Sequence, residues 1–206
     1  MCGPLIDWNG NGQIDPSDIA VTLAAAEEEE TGDEDNEDEQ EQAMTGGTRR
    51  AYVIRALRRD ETGLLKDFLY EAIFVPEGME PPDRNILERP ELRVYTDGFG
   101  TRKGDNCLVA DVDGRVVGAV WTRIMDDYGH VDDETPSFAI SLYSAYRGKG
   151  IGTAMMREML DLLRQQGYQK ASLAVQKVNY AVRMYEAVGF QTVDENEEEY
   201  IMVCEL

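Results

Sequence analysis

Between Leu142 and Thr153 the chain reads Leu-Tyr-Ser-Ala-Tyr-Arg-Gly-Lys-Gly-Ile-Gly-Thr, and this stretch constrains the fold more than any other. A strand-like apolar run, Phe138–Leu142, leads into it. A long amphipathic run, Ile151–Gln166, leaves it, with Met155, Met159, Leu162 and Leu163 at helical spacing. Glycines at 148, 150 and 152 permit a sharp turn and close backbone approach. The first amides of the helix lack intrahelical partners, and the helix dipole adds positive potential at the same place. Arg147 and Lys149 add charge at the rim. The expected product is an anion cradle suited to a pyrophosphate. It is not a Walker loop, because no Gly-Lys-Ser/Thr closes it, and its glycine spacing is not that of the dinucleotide fingerprint.

The flanking sequence predicts alternating strands and helices. Strands are expected at Ala51–Leu57, Asn106–Val112, Arg115–Ile124, Phe138–Leu142, Ala171–Val175 and Tyr200–Glu205. Asp113-Gly114 marks a tight hairpin between the second and third of these. Helices are expected at Asp60–Ala72, in a short piece around Asn85–Val94, at Ile151–Gln166 ended by Gly167, and at Tyr180–Val188 ended by Gly189. Hairpins mixed with crossovers imply one α/β domain with a central mixed sheet.

Charge divides the chain. The net charge is −21, but residues 1–48 hold 14 acidic and no basic groups, whereas residues 49–206 hold 27 acidic and 20 basic groups, a net of −7. Three regions are expected: a loop and short helix over 1–27, an acidic, solvated linker over 28–48, and the α/β domain over 49–206. The acidic balance argues against a nucleic-acid partner. The absence of a long apolar run or secretory signal argues against a membrane span, and predicts a cytoplasmic protein, monomer or homodimer. Cys2, Cys107 and Cys204 form neither a metal spacing nor a disulfide framework.

Residues 7–18 place oxygen-bearing side chains at loop positions 1, 3, 5, 9 and 12, with Gly12 at position 6. This resembles a single EF-hand or dockerin-type calcium loop, with Asp7, Asn9, Asn11, Gln13, Asp15 and Asp18 as the implied ligands. Position 12 is Asp18 rather than glutamate, and no second loop is present, so weak calcium binding is expected. The alternative is an acidic turn capping a helix over Ile19–Glu30.

Two segments of the body carry a second resemblance. Tyr146-Arg147-Gly148 followed by Gly150 and Gly152 is similar to the coenzyme A pyrophosphate loop of the GNAT superfamily, the GCN5-related N-acetyltransferases. Asn179, Tyr185 (Met184 in another alignment) and Gly189-Phe190 are similar to that family's following segment, with Val182 where alanine is typical and Tyr180 where proline is frequent. The resemblance covers about residues 50–206. It implies a GNAT-like α/β fold: a mixed central sheet with splayed parallel strands and flanking helices.

It also implies acetyl-CoA as donor and direct attack by a primary amine of a small molecule or peptide; the alternative is a non-catalytic coenzyme A-binding or regulatory module. The implied donor contacts are Ser141, Leu142 and Tyr143, then Arg147, Gly148, Lys149, Gly150, Ile151, Gly152 and Thr153, with Asn179 either on the pantetheine or capping its own helix. Tyr185 is the implied general acid. The base is sought in the loop from Asp126 to Thr135, with Glu134 and Asp133 ahead of His130; Asp126, Asp127 and Asp132 share that loop. Tyr70, Glu71, Phe74 and His130 are expected at the acceptor pocket, beside Val75-Pro76-Glu77-Gly78. Trp121 can face either that pocket or the core.

Overall fold

The computed structural model describes residues 52–75 and 79–206. The calcium-like set Asp7, Asn9, Asn11, Gln13, Asp15 and Asp18, the acidic linker, and Pro76-Glu77-Gly78 lie outside the described residues. Among the described residues no helix is long and apolar enough to cross a membrane.

Asp113 and Gly114 both adopt positive φ, 51° and 85°, which is the backbone a two-residue hairpin requires. That turn sets β2 (Asn106–Val112) against β3 (Arg115–Arg123), from Val112↔Arg115 to Asn106↔Thr122. The sheet grows outward from this hairpin. β1 (Val53–Ala56) joins β2, and β4 (Ser137–Leu142) joins β3, both antiparallel. β5 (Lys170–Gln176) lies parallel to β4, and β7 (Glu199–Glu205) and β6 (Gln191–Glu195) complete the order β1-β2-β3-β4-β5-β7-β6. This is the expected mixed sheet.

Both faces are covered. Leu65, Phe68, Leu69 and Ala72 of α1 (Leu64–Ala72) recur at helical spacing and pack with Val109, Ala119, Trp121 and Ala139 on one face. Ile151, Met155, Met156, Met159, Leu160 and Leu163 of α3 (Ile151–Gln165) pack on the other, with Phe138, Ile140, Leu142, Leu173 and Val175. α4 (Ala181–Ala187) adds Met184 and Tyr185 to this second layer. β4 sits between the layers, and all six of its residues are buried.

The structure differs from the sequence reading at several edges. The first predicted helix begins as a 3-10 turn at Arg59–Glu61 and becomes α-helical only after Gly63. The helix expected around residues 85–94 divides at Arg89-Pro90 into a 3-10 turn, Arg84–Glu88, and α2 (Pro90–Arg93). Pro90 forces the preceding residue out of helical geometry, and Arg89 has ψ 140°. β6 has no apolar signal, because as an edge strand all its residues are exposed. Leu162 is only partly buried; Met156 and Leu160 take the central positions on α3.

A buried ion pair holds the segment after α2. Arg123 and Asp105 are 0% and 1% exposed and meet at 2.7 Å, while Arg123 Nη1 also donates to the carbonyls of Val94 and Asp97 at 2.8 Å. Cys107 and Cys204 are buried free thiols, and burial pushes the Cys107 thiol up, away from nucleophilic chemistry.

Candidate functional site

β4 and β5 touch at one register position only, Ser137↔Ser172, where Ser172 N–H also donates to Pro136 O at 3.0 Å. Beyond it the two parallel strands part. Tyr143 N–H donates to Val117 O at 3.0 Å. By strand alternation Ile140 and Leu142 therefore direct their backbone groups away from β3 and into the gap. Of the predicted contacts Ser141, Leu142 and Tyr143, the backbone of Leu142 alone faces the gap. Ser141 pairs with Ala119, and its hydroxyl donates to Phe68 O at 2.7 Å. Ile140, which the sequence reading did not include, has the orientation assigned to its neighbours; only the strand register reveals it.

At the open end of the gap lies the glycine turn. A 3-10 turn at Ser144–Tyr146 ends at Arg147. Gly148 and Gly150 then take φ of 70° and 71°, and α3 starts at Ile151. No side chain caps α3, and its first turn carries no acidic residue, so the amides of Ile151, Gly152 and Thr153 point outward from an uncapped helix end. A Cβ on Gly150 would meet nothing within 4 Å. Arg147 is anchored here: its Nε donates to Leu142 O at 2.8 Å, and its Nη2 lies 3.4 Å from Glu71 Oε2. Lys149 folds back, donating to Ala145 O at 2.9 Å.

On the far wall, Asn179 Oδ1 accepts from Ala181 N–H at 2.8 Å, the helix-entry role foreseen for it. Its Nδ2 is buried without a partner, leaving a donor for a ligand group. Tyr185 is 3% exposed, its ring 6.0 Å from that of Phe190.

Beside the turn is a cavity of about 300 Å³ lined by Tyr70, Glu71, Phe74, Val75, Arg147 and Tyr180. It unites three of the predicted acceptor residues, Tyr70 and Glu71 of α1 and Phe74 just after it, with the arginine of the turn. The Tyr70 hydroxyl is already committed to Pro82 O at 2.6 Å, and the Arg84 guanidinium lies over its ring, 4.8 Å from the centroid. Tyr180 enters as an addition; burial raises its phenol pKa and Arg147 opposes this. Trp121 is fully buried in the core beneath α1, and its indole N–H has no partner.

The loop from Asp126 to Thr135 is divided by the fold. Asp133 and Glu134 line a separate cleft of about 830 Å³ with Lys103, Asp105, Gln166 and Lys170, at the end of the sheet opposite the glycine turn. Asp133 is 99% exposed. The structure thus does not bring the two first-ranked base residues together with the turn. His130 Nδ1 lies 2.9 Å from Met125 O, and its Nε2 is 3.9 Å from Asp133. Asp127 turns inward instead. Its Oδ2 accepts from Tyr95 Oη at 2.9 Å and from Ser137 Oγ at 2.7 Å, which ties it to the residue where the strands part.

Comparison with known proteins accords with this geometry. A family model described as the acetyltransferase (GNAT) family matches residues 69–190. N-acetyltransferase 8 of Mus musculus is 32% identical over 107 residues, covering 52% of this chain and 47% of that protein. The probable N-acetyltransferase camello of Xenopus tropicalis is 36% identical over 84 residues, 40% of this chain and 37% of that protein. The chain therefore spans about half the length, or less, of these relatives. The structure of the PaiA N-acetyltransferase from Thermoplasma acidophilum in complex with coenzyme A superposes with a TM-score of 0.56 at 18% identity, covering 75% of this chain and 99% of that one. The acetyltransferase yncA from Salmonella typhimurium, solved with acetyl-CoA, superposes with a TM-score of 0.54 at 18% identity, over 76% and 95%.

Proposed function

Because the chain belongs to the acetyltransferase (GNAT) family, we propose that it transfers an acetyl group from acetyl-CoA to a primary amine of a small molecule or peptide. One observation carries the reading: two parallel strands part after Ser137↔Ser172, and an uncapped helix N-terminus stands at the open end of their gap. The residues there fit coenzyme A. The amides of Ile151, Gly152 and Thr153, with the open space at Gly150, would hold the pyrophosphate. The gap-facing backbone of Ile140, the Leu142 N–H and the unpartnered Nδ2 of Asn179 would hold the amide-bearing arm. When bound, the donor supplies an activated acyl thioester. The chain's own part is to orient an amine against it, exclude water, and supply a proton from the Tyr185 hydroxyl. The cavity at Tyr70, Glu71 and Phe74 is the proposed approach for the amine, Glu71 and the rings of Phe74 and Tyr180 suiting a cation.

The test is to incubate the full chain with acetyl-CoA and a panel of primary amines and short peptides. Free thiol release is followed alongside mass spectrometry of the amine. Thiol release that requires an amine and yields its N-acetyl product is the expected result. Tight coenzyme A binding by calorimetry, with no amine-dependent thiol release across the panel, would instead identify a non-catalytic binding module.

A further inference from the structure

One cluster of ionisable groups is used neither by the core nor by the cradle. Glu199, the first residue of β7, is 3% exposed, and its Oε1 has no hydrogen-bond partner. Asp127 Oδ1 and Ser172 Oγ are likewise buried and unpartnered. Strand alternation places these groups on one face. Tyr200, Met202 and Cys204 of β7 and Ala171, Leu173 and Val175 of β5 belong to the layer under α3 and α4. Glu199 and Ser172 therefore project to the other face, as do Ser137 and Ser141, whose neighbours Phe138, Ile140 and Leu142 face α3. The loop carrying Asp127 presses onto the same face. A Cβ at Gly129 would lie 2.7 Å from Ser137 Oγ and 2.9 Å from Ala174 N, so no side chain fits there. Asp127 thus stands where β4 and β5 meet, bonded to Ser137, and Glu199, opposite Gln176, lies on the same face farther along β5, on the side toward which the gap opens, within electrostatic reach of Asp127.

A carboxylate oxygen buried without a donor costs free energy, and two such oxygens on one face, Asp127 Oδ1 and Glu199 Oε1, amount to a site prepared for a cation. We propose that the Asp127–Glu199 pair binds the ammonium group of the incoming acceptor and that Glu199 takes its proton. In that step an N–H bond of the ammonium breaks, its electron pair stays on nitrogen, and the proton forms an O–H bond on Glu199. The neutral amine is then a nucleophile. Asp127, oriented by Tyr95 and Ser137, acts as the positioning residue. The inference rests on the proposed amine acetyltransfer, and it replaces Asp133 and Glu134 as the base.

The electrostatics agree. Burial pushes Glu199 up to about 7; the Asn196 hydrogen bond opposes this, and the charges of Glu198 and Asp127 add to it. Burial also raises Asp127, against hydrogen bonds from Ser137 and Tyr95 and the nearby His130. Burial and the charge of Asp127 keep the Tyr95 phenol protonated, with Tyr128 and Glu199 adding to the effect. A base is most effective when its pKa lies near the working pH.

The experiment has an arm that needs no turnover. The full chain, labelled with ¹³C at Asp and Glu carboxyls, is titrated by NMR in about 0.15 M salt, which screens non-specific attraction to the acidic surface. One Glu carboxyl should titrate near 7 and be absent from Glu199→Gln. Adding n-butylammonium chloride should lower that titration, because a bound cation favours the charged carboxylate, while n-butanol leaves it in place. Asp127→Asn should lower it as well, by removing a neighbouring charge. In the second arm, kcat/KM for any amine found in the acetyl-CoA panel should rise with pH through about 7. Glu199→Gln should lose the rising limb and about 10²-fold or more in rate while coenzyme A affinity stays unchanged. A Glu199 resonance indifferent to butylammonium, or a variant that keeps the parent pH–rate profile, would overturn the proposal. If no amine is acetylated, the acetyltransfer reading fails, and the NMR arm still decides whether the pair is an ammonium site.

Discussion

Gly150 sits at φ 71° with open space where a side chain would begin. A β-branched residue there is strained in the left-handed region and projects its bulk into the cradle. Gly150→Val should weaken coenzyme A binding at least tenfold, about 1.4 kcal/mol, by titration calorimetry. Gly150→Ala, which shares the backbone strain but carries less bulk, should lose less. A folded valine variant with parental affinity would remove the cradle assignment. Tyr185 poses a different question, since it is both buried beside Phe190 and the proposed acid. Tyr185→Phe keeps the ring, so circular dichroism should be unchanged while kcat falls by roughly 10²-fold with little change in KM. A kcat within twofold of the parent would leave this tyrosine a packing residue.

At the scale of elements, the position of β4 decides the site, and Gly118 on β3 fixes that position. A Cβ at 118 would lie 2.7 Å from Leu142 Cγ and 3.0 Å from Ser141 O. Because one of these contacts is backbone, the end of β4 must move for alanine to fit. Gly118→Ala is expected to destabilise the fold by about 1–3 kcal/mol, measured by urea denaturation. It should also weaken coenzyme A binding, since Leu142 lines the gap and its carbonyl anchors Arg147. A destabilised variant with unchanged affinity would show that the end of β4 does not hold the donor. The two halves of the site differ in how far the sequence reveals them. The turn and α3 are contiguous in sequence, so glycine spacing and helical periodicity exposed them. The acid pair joins a β3–β4 loop residue to the start of β7, 72 positions apart, and no local pattern links them.

At the scale of the whole molecule, the charge asymmetry predicts that residues 1–48 contribute little to the sheet and its site. A chain starting at residue 49 should melt within about 2 °C of the parent, a free-energy change below roughly 1 kcal/mol, and bind coenzyme A with parental affinity by calorimetry. The intact chain should bind calcium only weakly, with Kd about 10⁻³ M or above. Loss of folding on truncation would place part of the domain before residue 49. What the sequence by itself determined is the set of local elements: the Asp113-Gly114 hairpin, the Gly148–Gly152 turn before α3, the apolar stripe of α1, and with them the class of fold. These follow from short-range backbone preference and hydrophobic period, which neighbouring residues carry. Only the tertiary structure decided that β4 and β5 separate after Ser137↔Ser172, that Trp121 belongs to the core, that Asp133 and Glu134 lie at the far end of the sheet, and that Asp127 and Glu199 turn inward. Those outcomes depend on strand register and on which carboxylates lose water when distant segments pack, and both are properties of contacts between residues the sequence keeps apart.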